Sequence, residues 1–205
     1  MIRRRWLATA VRATLALVAA NVCAQETTQA DKDKALTYLE STKKGVLDAT
    51  KGLSEAQWNF KPAADKWSVA ECLEHIAAAE DFIRGTAVDK VMKAPAAPDR
   101  DIAKIDAGIM AMIPDRSQKA QAPDQLKPTN RFGSPEGSLK HFAESRTATE
   151  NFLKDTPDLR AHAVDSPTGG AKLDACEWVL FVSAHSQRHT KQIEEVKADP
   201  NFPKK

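Results

Sequence analysis

Asp174-Ala175-Cys176-Glu177-Trp178-Val179-Leu180-Phe181-Val182-Ser183-Ala184-His185-Ser186-Gln187-Arg188-His189 opens a segment that runs on to Lys197. Asp174 with Glu177 three residues on is a capping box: the Asp side chain accepts the N3 amide and the Glu reaches back to the Asp amide. Leu173 and Trp178 hold the two positions of a hydrophobic staple around that cap. The helix predicted from Asp174 to about Lys197 is closed by Pro200 and Pro203. Within it, His185 and His189 are four residues apart, which places their rings about 40° apart on one face. Trp178 and Val196 each fall about 20° from His185, with Phe181 and Val182 one turn back. The pair therefore sits mid-helix on the apolar face. Two buried neutral imidazoles need partners for their ring nitrogens, and a shared metal ion or a hydrogen-bonded pair would each supply them. A solvated helix face remains the plain alternative for any i,i+4 pair.

Working outward, three more long helices carry the same punctuation. Asp31–Lys51 places Leu36, Leu39, Val46, Leu47 and Thr50 at helical spacing, with Gly52 just past its end. Ser68-Val69-Ala70-Glu71 is a second capping box, preceded by Trp67, and its helix is predicted to run to about Met92 before Pro95 and Pro98. Ser134 followed by Pro135 opens a helix that carries Leu139, Phe142, Arg146, Thr149 and Leu153 up to Pro157. Arg100–Ile113 reads as a shorter helix. Pro114 to Asn130 reads as a lid or crossover too long for a turn. Strand alternation and Asn-Gly or Asp-Gly turns are missing after residue 30, so no strand is expected. Four helices of roughly 20 residues predict an all-α fold, a four-helix bundle with a long crossover connection.

The chain has 205 residues, with 30 basic and 28 acidic side chains. Arg3, Arg4, Arg5 and Arg12 lie in the first 24 residues, where no acid occurs; setting them aside leaves 26 basic against 28 acidic, a net of −2. A mildly acidic remainder without a basic stripe argues against nucleic acid as a partner. Three cysteines exclude a disulfide scaffold. Met1–Ala24 reads as a cleavable signal peptide: Arg3–Arg5, then the mostly apolar Ala13–Val22, then Val22-Cys23-Ala24 ahead of Gln25. An uncleaved anchor is the alternative, but the run is shorter than the roughly 20 apolar residues of a membrane span. Arg3-Arg4 loosely resembles a twin-arginine signal, so the export route stays open. Residues 25–205 are then one helical domain in the periplasm or outside the cell, with no stable membrane span. Export would permit a Cys72–Cys176 disulfide, although Cys176 is about 180° from His185 and faces away from the histidines.

Of the remaining histidines, His75 lies two turns into the second helix, beside Cys72, Ala78, Ala79 and Phe82. With His185 and His189 it would form a three-imidazole set with open coordination positions, the style of a catalytic rather than a structural site. His185-Ser186-Gln187-Arg188-His189 lacks the Glu of a zincin helix. Gly-x-Ser-x-Gly, Gly-x-Gly-x-x-Gly and phosphate-loop patterns are absent too. Glu71, one turn before His75, and Gln192, one turn after His189, are candidates to orient ligand imidazoles; capping is the simpler role for Glu71. Arg188 is expected to pair with a helix carboxylate, Asp81, Asp99 and Asp101 to be solvated, and Trp58 and Phe60 to be core.

Phe60-Lys61-Pro62 and Trp67-Ser68-Val69-Ala70-Glu71-Cys72-Leu73-Glu74-His75-Ile76 resemble the first signature of the DinB-like superfamily of helical metalloenzymes. Gly169-Gly170, Leu173-Asp174 and His185 to Ile193 resemble the second, so the likeness spans most of Asp31–Lys197. The resemblance implies an up-up-down-down bundle holding one divalent metal on His75, His185 and His189, with zinc, nickel, iron or manganese all suited to three imidazoles. It leaves His141 on a helix surface and His162 in a loop. Members include thiol-dependent S-transferases and a mycothiol-dependent isomerase, which implies a metal that lowers the pKa of a thiol. Such thiols are cytosolic, whereas an exported protein meets an oxidising compartment, so a water nucleophile is equally open. The expected function is thus an exported metal-dependent transferase or hydrolase acting on a small molecule. The alternatives are a non-enzymatic bundle that binds metal or a ligand, and a bundle whose histidines only pack. A homodimer through an exposed helix face is compatible with each.

Overall fold

The computed structural model describes residues 25–204. The signal-peptide reading of Met1–Ala24 falls outside them, as does Cys23. Helix α1 spans Gln29–Thr50, α2 Glu55–Asn59, α3 Val69–Asp89, α4 Ile102–Met112, α5 Pro135–Asp155 and α6 Ala175–Lys197. The caps explain the starts. Thr28, Ser54, Ser68 and Asp174 each form a capping box, and Ser134 caps α5 with Pro135 at its first position. Gly52, at φ 65°, supplies the left-handed residue that stops α1.

α6 packs on α1, α3 and α4, while α5 packs on α3 and α1. The apolar interior falls into two halves. At one end Val46 and Ala49 of α1, Val69 to Ala77 of α3, Phe142 of α5 and Ile193 and Val196 of α6 cluster around Trp58. At the other, Ala35 and Leu39 meet Ala79 to Ala87, Leu153 and Ala175 to Ala184. Residue numbers therefore rise in one direction along α3 and α5 and in the other along α1 and α6. The four-helix bundle and its long crossover are as expected, but the order of directions along the chain is up-down-down-up rather than up-up-down-down. The end of α1 and the start of α3 share one apolar cluster with the buried Trp58 of α2, so the chain turns back where α1 stops. The long return falls instead between the parallel α3 and α5, over residues 90–134.

A two-stranded antiparallel hairpin, β1 Ala163–Asp165 with β2 Lys172–Asp174, corrects the expectation of no strands. Three-residue strands are too short to show alternation. Their turn uses Gly169 and Gly170, at φ 77° and 84°, in place of Asn-Gly or Asp-Gly. The hairpin delivers Leu173 and Asp174 to the start of α6. Among the described residues, no helix is long and apolar enough to cross a membrane.

Two buried ionic groups hold the ends in register. Arg146 of α5, fully buried, donates to both carboxylate oxygens of Glu80 on α3 at 2.8 and 2.9 Å. It also reaches Leu39 O and Thr42 on α1 and Ser186 on α6, so one guanidinium touches all four long helices. At the far end, buried Arg160 is shared among Asp31, Asp106 and Asp174, and Arg100 pairs with Asp174 and Glu177.

Candidate metal centre

The antiparallel packing of α3 on α6 brings His75 against His185 and His189. The Nε2 atoms of His75 and His185 are 3.1 Å apart. One ring nitrogen from each of the three histidines lies within 4.8 Å of the others. The ring centroids are 4.4 Å apart for His75–His189, 4.5 Å for His185–His189 and 4.9 Å for His75–His185. Two metal–imidazole bonds of about 2.0–2.1 Å at a tetrahedral angle put their nitrogens about 3.3 Å apart, so the spacing suits one edge of a coordination sphere.

At His75 and His189 the other ring nitrogen is tied down in a way that aims these ones inward. His75 Nδ1 is 2.8 Å from the carbonyl oxygen of Leu126, which can only accept, so the Nδ1 carries the proton and Nε2 the lone pair. His189 Nδ1 is 2.8 Å from Gln192 Oε1. Trp67 lies over both, its ring 4.8 Å from His75 and 6.0 Å from His189. Burial is the main reason all three imidazoles are depressed below the ordinary 6.5, with neighbouring imidazoles pushing His185 and His189 well below it. The three are neutral near pH 7, the form that ligates a metal. Three neutral nitrogen donors with no thiolate or carboxylate fit zinc, nickel, iron or manganese and do not choose among them.

A sequence profile of the DinB superfamily matches residues 38–193, which takes in all three histidines, the whole of α3 and most of α6. The chain belongs to the DinB superfamily. It is 30% identical over 152 residues to the Bacillus subtilis (strain 168) protein called uncharacterized protein YuaE, covering 72% of this chain and 87% of that one. Two solved structures share the fold. YfiT from Bacillus subtilis, described as "a probable metal-dependent hydrolase with an unusual four-helix bundle topology", is 15% identical with a TM-score of 0.55 over 86% of this chain and 91% of its own. A protein assigned to the DinB family from Exiguobacterium sibiricum 255-15 is 13% identical with a TM-score of 0.51, covering 87% of this chain and 97% of its own.

The other residues singled out in this DinB-superfamily chain have definite places. Gln192 accepts from His189. Glu71 does not reach His75: it closes the Ser68 capping box and pairs with Lys61 at 2.9 Å. Among the described residues Arg188 pairs with no carboxylate; it donates to the carbonyls of Ile113, Asp115 and Gln118 in the crossover. Asp81 is not simply solvated but accepts from Ser145, His141 and Arg84, and His141 also stacks on Phe132 at 4.2 Å. Asp99 and Asp101 are exposed, and Asp101 caps α4. His162 follows the loop after α5 and bridges Ala96. Phe82 is 44% exposed. Cys72 and Cys176 are both buried free thiols, with burial pushing Cys72 up to about 12. Cys176 Sγ faces Asp31 on α1, away from the histidines.

Residues that sequence reasoning missed come mainly from the crossover. Glu74, next to His75, accepts the backbone amides of Thr129, Asn130 and Arg131 at 2.7, 2.8 and 3.2 Å, which holds the loop where Leu126 meets His75. Burial alone would raise its pKa, but these bonds and the Arg131 side chain outweigh it and hold the carboxyl below its usual range. A contact spanning some fifty residues leaves no local pattern to read. A cleft of about 830 Å³ lies beyond Glu71 and Glu74 between α2 and residues 128–138, and its walls include none of the three histidines.

Proposed function

We propose that this chain is a metal-dependent enzyme of the hydrolase or transferase type, with one divalent ion held by His75, His185 and His189. The observation that carries the reading is the convergence of three neutral imidazoles, two of which, His75 and His189, have the remaining nitrogen held by an acceptor. A divalent ion there supplies a Lewis acid that lowers the pKa of a ligating water or thiol toward neutrality. Among the described residues, the chain offers no nucleophile of its own beside the site. Cys72 is buried among apolar residues with a raised pKa, and the Ser186 hydroxyl is engaged by Arg146. The nucleophile is therefore water or an added small thiol, and the substrate a small electrophile. The description of YfiT supports hydrolysis.

A non-enzymatic metal-binding bundle is the second reading. It is favoured by the crossover packed over the histidines and by a cleft of about 830 Å³ that opens elsewhere. We also read Met1–Ala24 as an export signal, and self-association through an exposed helix face as the protein partner to look for. Fractionation of cells and the mass of the mature chain test the first; sedimentation tests the second.

The deciding experiment is elemental analysis of untagged protein purified from its own compartment, with the His75→Ala/His185→Ala/His189→Ala variant as control. About one equivalent of one metal, lost in a variant that keeps its helical circular dichroism, supports the centre. Turnover of ester, amide or thiol-transfer substrates by the loaded protein then separates enzyme from binder. No metal and no uptake on titration would overturn the proposal.

A further inference from the structure

The carboxamide of Gln192 can face His189 in two ways. With its oxygen toward Nδ1 it accepts a proton there, leaving Nε2 with a lone pair. Flipped, its NH₂ donates to Nδ1, and the imidazole must then carry its proton on Nε2, where it cannot ligate a metal. Gln192 is not free to choose, because a second side chain reaches the same atom. Arg116 Nη1, from the crossover, lies 3.3 Å from Gln192 Oε1. A guanidinium only donates, so the amide atom that faces it is the oxygen. The same oxygen is 2.8 Å from His189 Nδ1. Arg116 is in turn held in a two-point bond to Glu195, with Nε and Nη2 each 2.6 Å from a carboxylate oxygen. His189, Gln192 and Glu195 follow one another at three-residue steps along α6, so one helix presents the whole relay to the crossover.

We propose that Arg116 is a positioning residue of the metal centre: by donating to Gln192 Oε1 it sets the orientation of that amide and so locks His189 in the tautomer whose Nε2 is free to bind metal. The proposal rests on the metal-centre reading for its purpose, but the lock itself is a property of the metal-free protein. His75 has the parallel arrangement with a backbone carbonyl, which needs no lock because it cannot flip. The crossover thus orients both imidazoles, directly at His75 and through Arg116 and Gln192 at His189.

The test uses the whole mature chain without metal, labelled with ¹⁵N histidine, at pH 8. In the wild type, His189 is expected to show a protonated Nδ1 and an unprotonated Nε2. In Arg116→Met it is expected to move toward the Nε2-protonated form, and affinity for Co(II) alone, read from its visible absorption, to fall about 10-fold, the low end for loss of a group that orients a ligand. Gln192→Glu added to Arg116→Met replaces the amide with a group that can only accept. It is expected to restore the tautomer and most of the affinity, which a merely structural Arg116 would not allow. Arg116→Lys, which keeps a donor, tests the same point without removing the charge. An Arg116→Met protein with unchanged tautomer and Co(II) affinity overturns the proposal, as does a double variant with no recovery. A wild type that takes up no Co(II) refutes the metal centre but leaves the tautomer comparison to decide the lock.

Discussion

Arg146 shows how much a single buried side chain can hold. Neither it nor Glu80 is accessible to water, and its remaining donors go to Leu39, Thr42 and Ser186. Removing one member of such a pair leaves the other charged and unpaired. Arg146→Met is therefore expected to cost about 3–5 kcal/mol in urea denaturation, while Arg146→Met/Glu80→Met recovers a large part of that loss. Ser186, next to His185, is one of the partners of Arg146, so the single variant should also broaden the histidine ring signals.

At the scale of elements, the crossover between α3 and α5 is the part on which the site depends. Glu74 captures three consecutive amides of it, Arg188 three of its carbonyls and Lys191 the carbonyl of Pro114. Because the Glu74 carboxyl is held below its ordinary 4.5, its contribution is complete above that pH and disappears as the pH falls through its lower value in the folded protein. Hydrogen exchange at Thr129, Asn130 and Arg131 is expected to lose protection below about pH 4.5, after allowance for the intrinsic exchange rate, while the interiors of α3 and α6 stay protected. Glu74→Gln should reproduce the loss at neutral pH. Equal protection of these amides in Glu74→Gln and wild type would mean that other contacts hold the crossover.

For the molecule as a whole, metal and protons compete for the same nitrogens. The three imidazoles have pKa values below the ordinary 6.5, so the unfolded chain binds more protons and the metal-free protein loses stability as the pH drops beneath 6.5. A fitting divalent ion at 100 times its dissociation constant is expected to add about 2.7 kcal/mol, or roughly 5–10 °C in Tm for a chain of this size. Chelator should reverse the gain, and the gain should shrink as pH is lowered toward 5. Arg160 belongs to the other end of the bundle. Arg160→Met should lower Tm, because Asp31, Asp106 and Asp174 lose a shared buried partner, yet leave Co(II) affinity within about twofold of wild type, since sites without shared partners act nearly independently.

The sequence by itself determined the long helices and the identity of the three histidines. Capping boxes at Ser68 and Asp174, Pro135 after Ser134 and the apolar stripes are local signals, because a cap or a helical face is completed within a few residues. The spacing of His185 and His189 placed two imidazoles on one buried face for the same reason. Tertiary structure decided what each local signal could not contain. It set the order of helix directions, because only packing settles which helix ends share an apolar cluster. It set the partners of Arg146 and Arg160, because a buried charge is satisfied by whichever helices surround it. It decided that Leu126, Glu74 and Arg116 orient and enclose the histidines. Those contacts join residues separated by more than fifty positions, where only packing brings one to the other.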